Sequence, residues 1–152
     1  MNTIVARHMS ADMYACKASA MADGAALQER LSRLMEAAGF HIGSFDMQGV
    51  SEDHTAVLLL LEEGHFAIHL FNQLRYVAVD IFLCTEGAAP EKLLQSLRDY
   101  FRPEKFRTTY LKRGDFKGGQ DMKPQVKTHL APLRRIHNTG AKVIRLLAHR
   151  RH

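Results

Sequence analysis

The chain has 152 residues, of which 46% are hydrophobic and 24% are charged, values typical of one globular domain. They exclude collagen-like, mucin-like and fully disordered proteins. The longest apolar run, residues 56–61, is far shorter than the roughly 20 residues of a membrane span. The N-terminal residues lack a signal-peptide pattern. Two cysteines, Cys16 and Cys84, predict free thiols in a reducing, cytoplasmic protein.

Charge divides the chain into two parts. Residues 1–111 carry ten Lys/Arg and 14 Asp/Glu, a net charge of −4, whereas residues 112–152 carry 11 Lys/Arg and two Asp, a net charge of +9. We therefore predict an acidic domain, residues 1–111, followed by a basic C-terminal extension, residues 112–152.

The first elements are a strand and a helix. Residues 3–14 predict a strand, and residues 18–24 a linker. Apolar side chains at helical spacing predict an amphipathic helix over residues 25–38, with Gly39 as its stop.

The middle of the chain is rich in β-branched and aromatic residues, which predict strands joined by short turns. Pro90 suits the first turn of a second helix, residues 91–101, and residues 106–111 predict a last strand. The predicted middle strands are residues 55–62, 65–71 and 75–84, and residues 40–47 are a short strand candidate before them.

The order β-α-β-β-β-α-β predicts an α+β fold. Short turns between successive strands favour antiparallel hairpins. We therefore expect a two-layer α/β sandwich, in which an antiparallel sheet carries both helices on one face.

Polar groups concentrate in residues 62–69, which read E-E-G-H-F-A-I-H. Because side chains alternate along a strand, Glu63, His65 and His69 share a face, with Asp80 on a neighbouring strand. Such a set could bind a metal, but the spacing lacks a fixed fourth ligand. We expect no metal site, and hydrogen-bonded or exposed histidines instead.

This stretch resembles the signature of the bacterial S-adenosylmethionine decarboxylase proenzymes, which reads close to E-S-H-x-x-x-H-T-W-P-E and continues with a Tyr, an Asp and F-T-C-G. Here residues 63–73 read E-G-H-F-A-I-H-L-F-N-Q, and Tyr76, Asp80 and Cys84 follow. Residues 45–51 are similar to the family's F-x-x-x-G-V-S turn, although the segment between this turn and Gly64 is a few residues longer than in the family. The resemblance covers roughly residues 3–110.

The resemblance implies a self-processing enzyme of polyamine (spermidine) biosynthesis. In the family, the Ser after the Glu attacks the preceding carbonyl, the chain splits, and the new N-terminus becomes a pyruvoyl cofactor. That group forms a Schiff base with the substrate amine and accepts electrons during decarboxylation.

The resemblance also assigns site residues by position. It implies that His69, with His65 in the same motif, assists processing and that Cys84 donates a proton to the product. The aromatic pair that encloses the adenine of S-adenosylmethionine maps to Phe45 and Phe71. The alternative is a purely structural role, in which the two phenylalanines fill the core and Cys84 packs as a small hydrophobic side chain.

Two further motif positions differ from the family. The Glu that binds the ribose is replaced by Gln73, which loses the charge but keeps an acceptor. The pyruvoyl-forming Ser is replaced by Gly64, which follows Glu63 and has neither a nucleophile nor a β-oxygen to eliminate. We therefore expect an uncleaved chain without a pyruvoyl or other cofactor.

The functional hypothesis is a catalytically silent relative. We expect it to bind S-adenosylmethionine or a related nucleoside, or to act as a regulatory subunit. By resemblance it forms a homodimer, with pairing to an active paralogue as a variant. An active lyase that works by another route is the alternative.

The basic extension supports a hypothesis of a different class. Residues 112–119 predict a Gly-rich linker, and residues 141–149 a basic amphipathic helix. Such a segment can bind nucleic acid or another polyanion, or it can pack on the acidic domain.

Overall fold

The computed structural model describes residues 6–21, 24–85, 87 and 89–114, and the backbone of residues 129–130. A seven-stranded antiparallel sheet forms its centre, in the order β2-β3-β4-β5-β1-β6-β7. The strands are β1 (Ala6–Tyr14), β2 (Ile42–Gly49), β3 (His54–Leu61), β4 (Gly64–Phe71), β5 (Tyr76–Leu83), β6 (Lys105–Arg113) and β7 (His129–Leu130). The helices are α1 (Ala18–Met21), α2 (Gly24–Ala37) and α3 (Pro90–Phe101).

The predicted α+β sandwich is confirmed, with two additions. The predicted linker at residues 18–24 contains the short helix α1, and β7 adds a strand after β6. The strand candidate at residues 40–47 is β2, so the structure has four strands between the two long helices where the predicted order has three. β6 continues to Arg113, beyond the domain boundary placed after residue 111. The predicted linker, residues 112–119, is described only as far as Gly114, and the predicted helix at residues 141–149 lies outside the described residues.

The helices form because their apolar residues make one stripe. In α2, Leu27, Leu31 and Met35 recur every fourth position and are buried. In α3, Pro90 occupies the first turn, and Arg102 ends the helix in a left-handed conformation, with its N–H bonded to the Arg98 carbonyl at 2.8 Å. Both stripes pack on the sheet.

The sheet has two different faces, because side chains alternate along each strand. The inner face packs against the helices and is buried; it includes Met13, Leu59, Phe66, Ile68, Val79 and Ile81. No helix or strand among the described residues covers the opposite face, which we call the open face. The strand positions on the open face include His8, Asp12, Leu58, Leu60, His65, His69, Phe71, Tyr76, Asp80 and Phe82.

This arrangement puts most of the motif on the open face. The helices cover only the inner face, so the polar residues of β4 and β5 remain accessible. None of the described helices has the length and apolar character needed to cross a membrane.

Candidate functional site

The motif residues separate into two groups at opposite ends of β4. Gly64 begins the strand beside Leu83, whereas His69 lies five residues further along, about 17 Å away at ~3.3 Å per residue. Cys84 follows β5 at the Gly64 end. Phe71 closes the strand at the His69 end. One chain therefore does not bring Gly64 and Cys84 next to His69 and Phe71.

Gly64 has a backbone conformation that favours glycine. Its φ is +153°, a region that other residues rarely adopt. A Cβ atom added here would lie 2.0 Å from the carbonyl oxygen of Phe82 and 2.9 Å from its carbonyl carbon. The space that a serine side chain needs is filled by the backbone of β5. A serine, the precursor of the family's pyruvoyl group, therefore does not fit this backbone.

The peptide group between Glu63 and Gly64 is held on its carbonyl side. The Glu63 carbonyl oxygen accepts a hydrogen bond from the Cys84 backbone N–H at 2.8 Å, and a longer one from the Thr85 hydroxyl at 3.5 Å. This carbonyl is the group that the resemblance implies would be attacked. Cys84 itself is exposed.

The Glu63 side chain is fixed by His41. One carboxylate oxygen lies 2.6 Å from His41 Nδ1, and the other accepts the His41 backbone N–H at 3.2 Å. Burial pushes the pKa of Glu63 upward, but the bonds from His41 outweigh it and the pKa is lowered. The hydrogen bond to Glu63 raises the pKa of His41. His41 lies 22 residues before Glu63, and nothing in the sequence pattern indicates the pair.

A small cavity borders this turn on its helix side. Its volume is about 330 Å³, and Glu63 and Lys92 bring opposite charges to its wall. The other lining residues that the structure describes are Ala38, Gly39, Phe40, Thr85, Gly87 and Ala89.

His65 belongs to an aromatic cluster on the open face. It is exposed, and its ring stacks on Phe82 with centroids 5.2 Å apart. His8 meets the same Phe82 edge-on at 6.1 Å, and its Nε2 lies 3.4 Å from Asp80. Asp80 thus pairs with a histidine of β1 and not with His65 or His69. No group of three or more His, Cys, Asp or Glu side chains is placed to hold a metal within the described ranges.

His69 pairs with a histidine that the motif does not contain. His69 Nδ1 lies 2.9 Å from His54 Nε2, so the two imidazoles share a hydrogen bond. His54 lies in the segment that is longer than in the family signature. That extra length is the sequence feature that could have pointed to His54 as a site residue.

A row of stacked rings crosses the open face at this end. His54 stacks on Phe71 at 4.3 Å, Tyr76 follows on the other neighbouring strand at 5.7 Å from Phe71, and Tyr14 lies 5.2 Å from Tyr76. The Tyr76 hydroxyl donates to Asp12 at 2.5 Å, and burial together with this bond raises the pKa of Tyr76. On the sheet, Phe71 therefore lies between the His54 and Tyr76 positions of its two neighbouring strands.

Phe45 lies on the other side of the sheet. It pairs with the fully buried Leu59 and packs against the inner core. Phe45 and Phe71 thus lie on opposite faces, and in one chain they cannot enclose the same adenine. Gln73 is exposed in the turn after β4, where its backbone N–H bonds to the Asp53 carboxylate at 2.5 Å.

A family model described as S-adenosylmethionine decarboxylase matches residues 7–114, a range that contains both ends of this site. The chain belongs to the S-adenosylmethionine decarboxylase family. The match covers β1 to β6, and it leaves most of the basic extension outside the family region.

Individual relatives agree with this assignment. An S-adenosylmethionine decarboxylase proenzyme of Synechococcus sp. is 34% identical over 101 residues, which cover 63% of this chain and 75% of the relative. Another, of Methanococcus maripaludis, is 25% identical over 114 residues, covering 75% of this chain and 93% of the relative. The crystal structure of the adenosylmethionine decarboxylase from Aquifex aeolicus matches with a TM-score of 0.67 at 17% identity, covering 81% of this chain and 99% of that chain. The match to the Aquifex aeolicus structure shows a shared fold.

Proposed function

We propose that this chain is a member of the S-adenosylmethionine decarboxylase family, related to polyamine metabolism, that neither cleaves itself nor decarboxylates. The observation that carries the proposal is Gly64. Glycine offers no hydroxyl to attack the Glu63 carbonyl, and no oxygen that could leave to give a pyruvoyl group. Without an electron sink, the carbanion left by decarboxylation is not stabilised.

The surroundings of Gly64 support the same conclusion. The carbonyl oxygen of Phe82 fills the volume where a serine side chain would start. The Cys84 N–H holds the Glu63 carbonyl, so the hydrogen bond that would polarise this carbonyl is present while the nucleophile is absent.

Intact-mass spectrometry of the purified full chain tests the proposal directly. We expect one species at the full mass of about 17.2 kDa and no pair of fragments divided between Glu63 and Gly64. Carboxyl-labelled S-adenosylmethionine should release no labelled CO₂ above a blank. A split at Glu63–Gly64, or CO₂ release by the uncleaved chain, would overturn the proposal; the latter would establish an active lyase that works by another route.

We further propose that the chain is a homodimer that packs open face against open face. Leu58 and Leu60 are 50% and 59% exposed on this face, which is unusual for neighbouring leucines of a sheet. Sheets that stack face to face lie about 10 Å apart and bury such side chains. A partner of the same kind would cover both leucines.

The separation of the two residue groups supports a site shared between subunits. If the partner runs in the opposite sense along β4, its Gly64 and Cys84 end lies over the His69 and Phe71 end of the first chain. A subunit with Gly64 would still offer His69, Phe71 and Gln73 to its partner. We therefore infer a regulatory role, in which an active paralogue with an intact serine could replace one copy.

Two measurements test this arrangement. Light scattering should give about twice the 17.2 kDa chain mass at micromolar concentration, and Leu58→Asp should give the monomer mass. Leu74→Asp is the matched control, because Leu74 is 70% exposed in a turn and should leave the dimer intact. A wild-type monomer would refute the homodimer.

Calorimetry with S-adenosylmethionine tests nucleoside binding separately. An absence of binding heat at millimolar ligand would refute nucleoside binding by this chain.

A further inference from the structure

The hydrogen-bonded pair of His54 and His69 lies at the end of β4 opposite to Gly64. His54 begins β3, and His69 lies on the adjacent strand, two residues before Phe71, which is the register partner of His54. Because residues two positions apart on a strand share a face, both imidazoles stand on the open face. They lie at its rim, where β3 begins and β4 ends.

The contact between the two rings joins nitrogen to nitrogen. His54 Nε2 lies 2.9 Å from His69 Nδ1, and the ring centroids are 5.2 Å apart, so the rings meet end to end. Such a hydrogen bond needs one N–H and one bare nitrogen, so at least one of the two rings is neutral. A neutral imidazole can carry its proton on either nitrogen, so both facing nitrogens can be free of hydrogen at the same time. Two lone pairs then border the same small space.

The separation of the two nitrogens matches that of two ligands on one metal ion. Imidazole nitrogens bind such ions at about 2.0–2.1 Å, and two of them at a right angle are about 2.9 Å apart. A right angle is the geometry of square-planar and octahedral ions such as Cu²⁺ and Ni²⁺, whereas a tetrahedral ion needs about 3.3 Å between the nitrogens. Small rotations about the side-chain bonds would direct both lone pairs at the ion.

The surroundings of the pair orient it and leave it accessible. Phe71 stacks on His54 with centroids 4.3 Å apart and ring planes at 12°, which fixes the orientation of that imidazole. Side chains that are packed on paired strands hold ligand geometry more precisely than side chains on loops. Both histidines are half-buried, so water reaches them. The described residues offer no cluster of three ligands, so water completes the coordination of a bound ion.

We propose that His54 and His69 form a two-histidine binding site for a late first-row divalent metal ion, with Ni²⁺ and Cu²⁺ as the ions that fit best. Imidazole ligands suit these ions, whereas Mg²⁺ prefers oxygen ligands. The site does not depend on the missing serine, because Gly64 lies at the other end of β4. It also uses a histidine from the segment that is longer than in the family signature.

The test is isothermal titration calorimetry of the full chain with Ni²⁺, which, unlike Cu²⁺, does not oxidise free thiols. The site variant is H54Q/H69Q. The matched control, H8Q/H65Q, removes two other histidines of the open face, which each contact Phe82. In the part of the chain that the structure describes, these two make no hydrogen bond to each other.

We expect the site variant to bind Ni²⁺ at least about tenfold more weakly than the unmodified chain, and the control to stay within about threefold of it. Mg²⁺ should give no binding heat. Paramagnetic Ni²⁺ should also broaden the NMR signals of His54, His69 and Phe71 first in the unmodified chain, a measurement that does not depend on the folding of a variant. The proposal is overturned if the unmodified chain binds no Ni²⁺ at millimolar concentration, if the site variant and the control bind it equally, or if the first signals to broaden belong to other histidines.

Discussion

Substitution of Gly64 by serine tests whether the family's processing chemistry could be restored by one residue. The new Cβ would start 2.0 Å from the Phe82 carbonyl oxygen, well inside contact distance, so β4 and β5 must separate locally. A non-glycine residue in this backbone region costs about 1–3 kcal/mol. Losing one or two hydrogen bonds of the β4–β5 ladder adds about 1 kcal/mol each.

These terms together predict a loss of roughly 2–5 kcal/mol of unfolding free energy, a large part of the ~5–15 kcal/mol of an ordinary domain. In a domain of this size, that is a fall in Tm of roughly 8–20 °C. We also expect Gly64→Ser to stay uncleaved, because the hydroxyl can be accommodated only by moving the backbone that presents the Glu63 carbonyl.

Two other glycines separate the causes of the loss. Gly49 has no positive φ and open space around its Cβ position, so Gly49→Ser should change Tm by little. Gly39 has a φ of +85° but no atom within 4 Å of its Cβ position. Gly39→Ser should therefore lose only the part of the unfolding free energy that comes from the backbone conformation. Thermal melting followed by circular dichroism ranks the three variants by Tm, and intact-mass spectrometry shows whether any of them is cleaved. A Gly64→Ser variant that melts with Gly49→Ser, or that cleaves itself, would refute the geometric argument.

Three further predictions concern single groups. His41→Ala should lower the unfolding free energy most between about pH 4.5 and 6.5. The pKa of His41 is raised, so the stability that His41 contributes is lost as the pH rises, and the pKa of Glu63 is lowered, so the stability that Glu63 contributes is lost as the pH falls. Equal losses in urea unfolding at pH 5.5 and 8.5 would contradict this. One thiol should react with a disulfide reagent at pH 8 in the native protein, since Cys84 is exposed while burial raises the pKa of Cys16 to about 11; two fast thiols would refute the burial of Cys16. Tyr76→Phe should cost about 1–3 kcal/mol by leaving the Asp12 carboxylate without its donor, and the difference should shrink above pH 10, because the contribution of a tyrosine with a raised pKa is lost as the pH rises; an unchanged denaturation midpoint at pH 7 would count against it.

Much of the fold follows from local patterns. The stripe of Leu27, Leu31 and Met35 and the proline at residue 90 are local signals, so both long helices were predictable. Alternation in β4 and β5 placed their polar residues on one face. The pairing of β7 with β6 was not predictable, because a two-residue strand is too short to show a period.

The position of Phe45 shows where local patterns fail. A break in register between Ile42 and Ser44 makes Gly43 an extra residue in β2, and this reverses the alternation on the rest of the strand. Both Ile42 and Phe45 consequently pair with inner-face residues of β3. Periodicity in the sequence carries no mark of such a bulge, so only the paired strands reveal that Phe45 and Phe71 lie on opposite faces.

The sequence by itself determined the two long helices and the missing nucleophile at Gly64, because both are properties of consecutive residues. Tertiary structure alone decided that His41 holds Glu63, that His54 pairs with His69, and that the Phe82 carbonyl fills the place of a side chain at residue 64. Those contacts join residues that are 15 to 22 positions apart or on adjacent strands. Their distances depend on strand register, which is set by the packing of the whole sheet and not by any one segment.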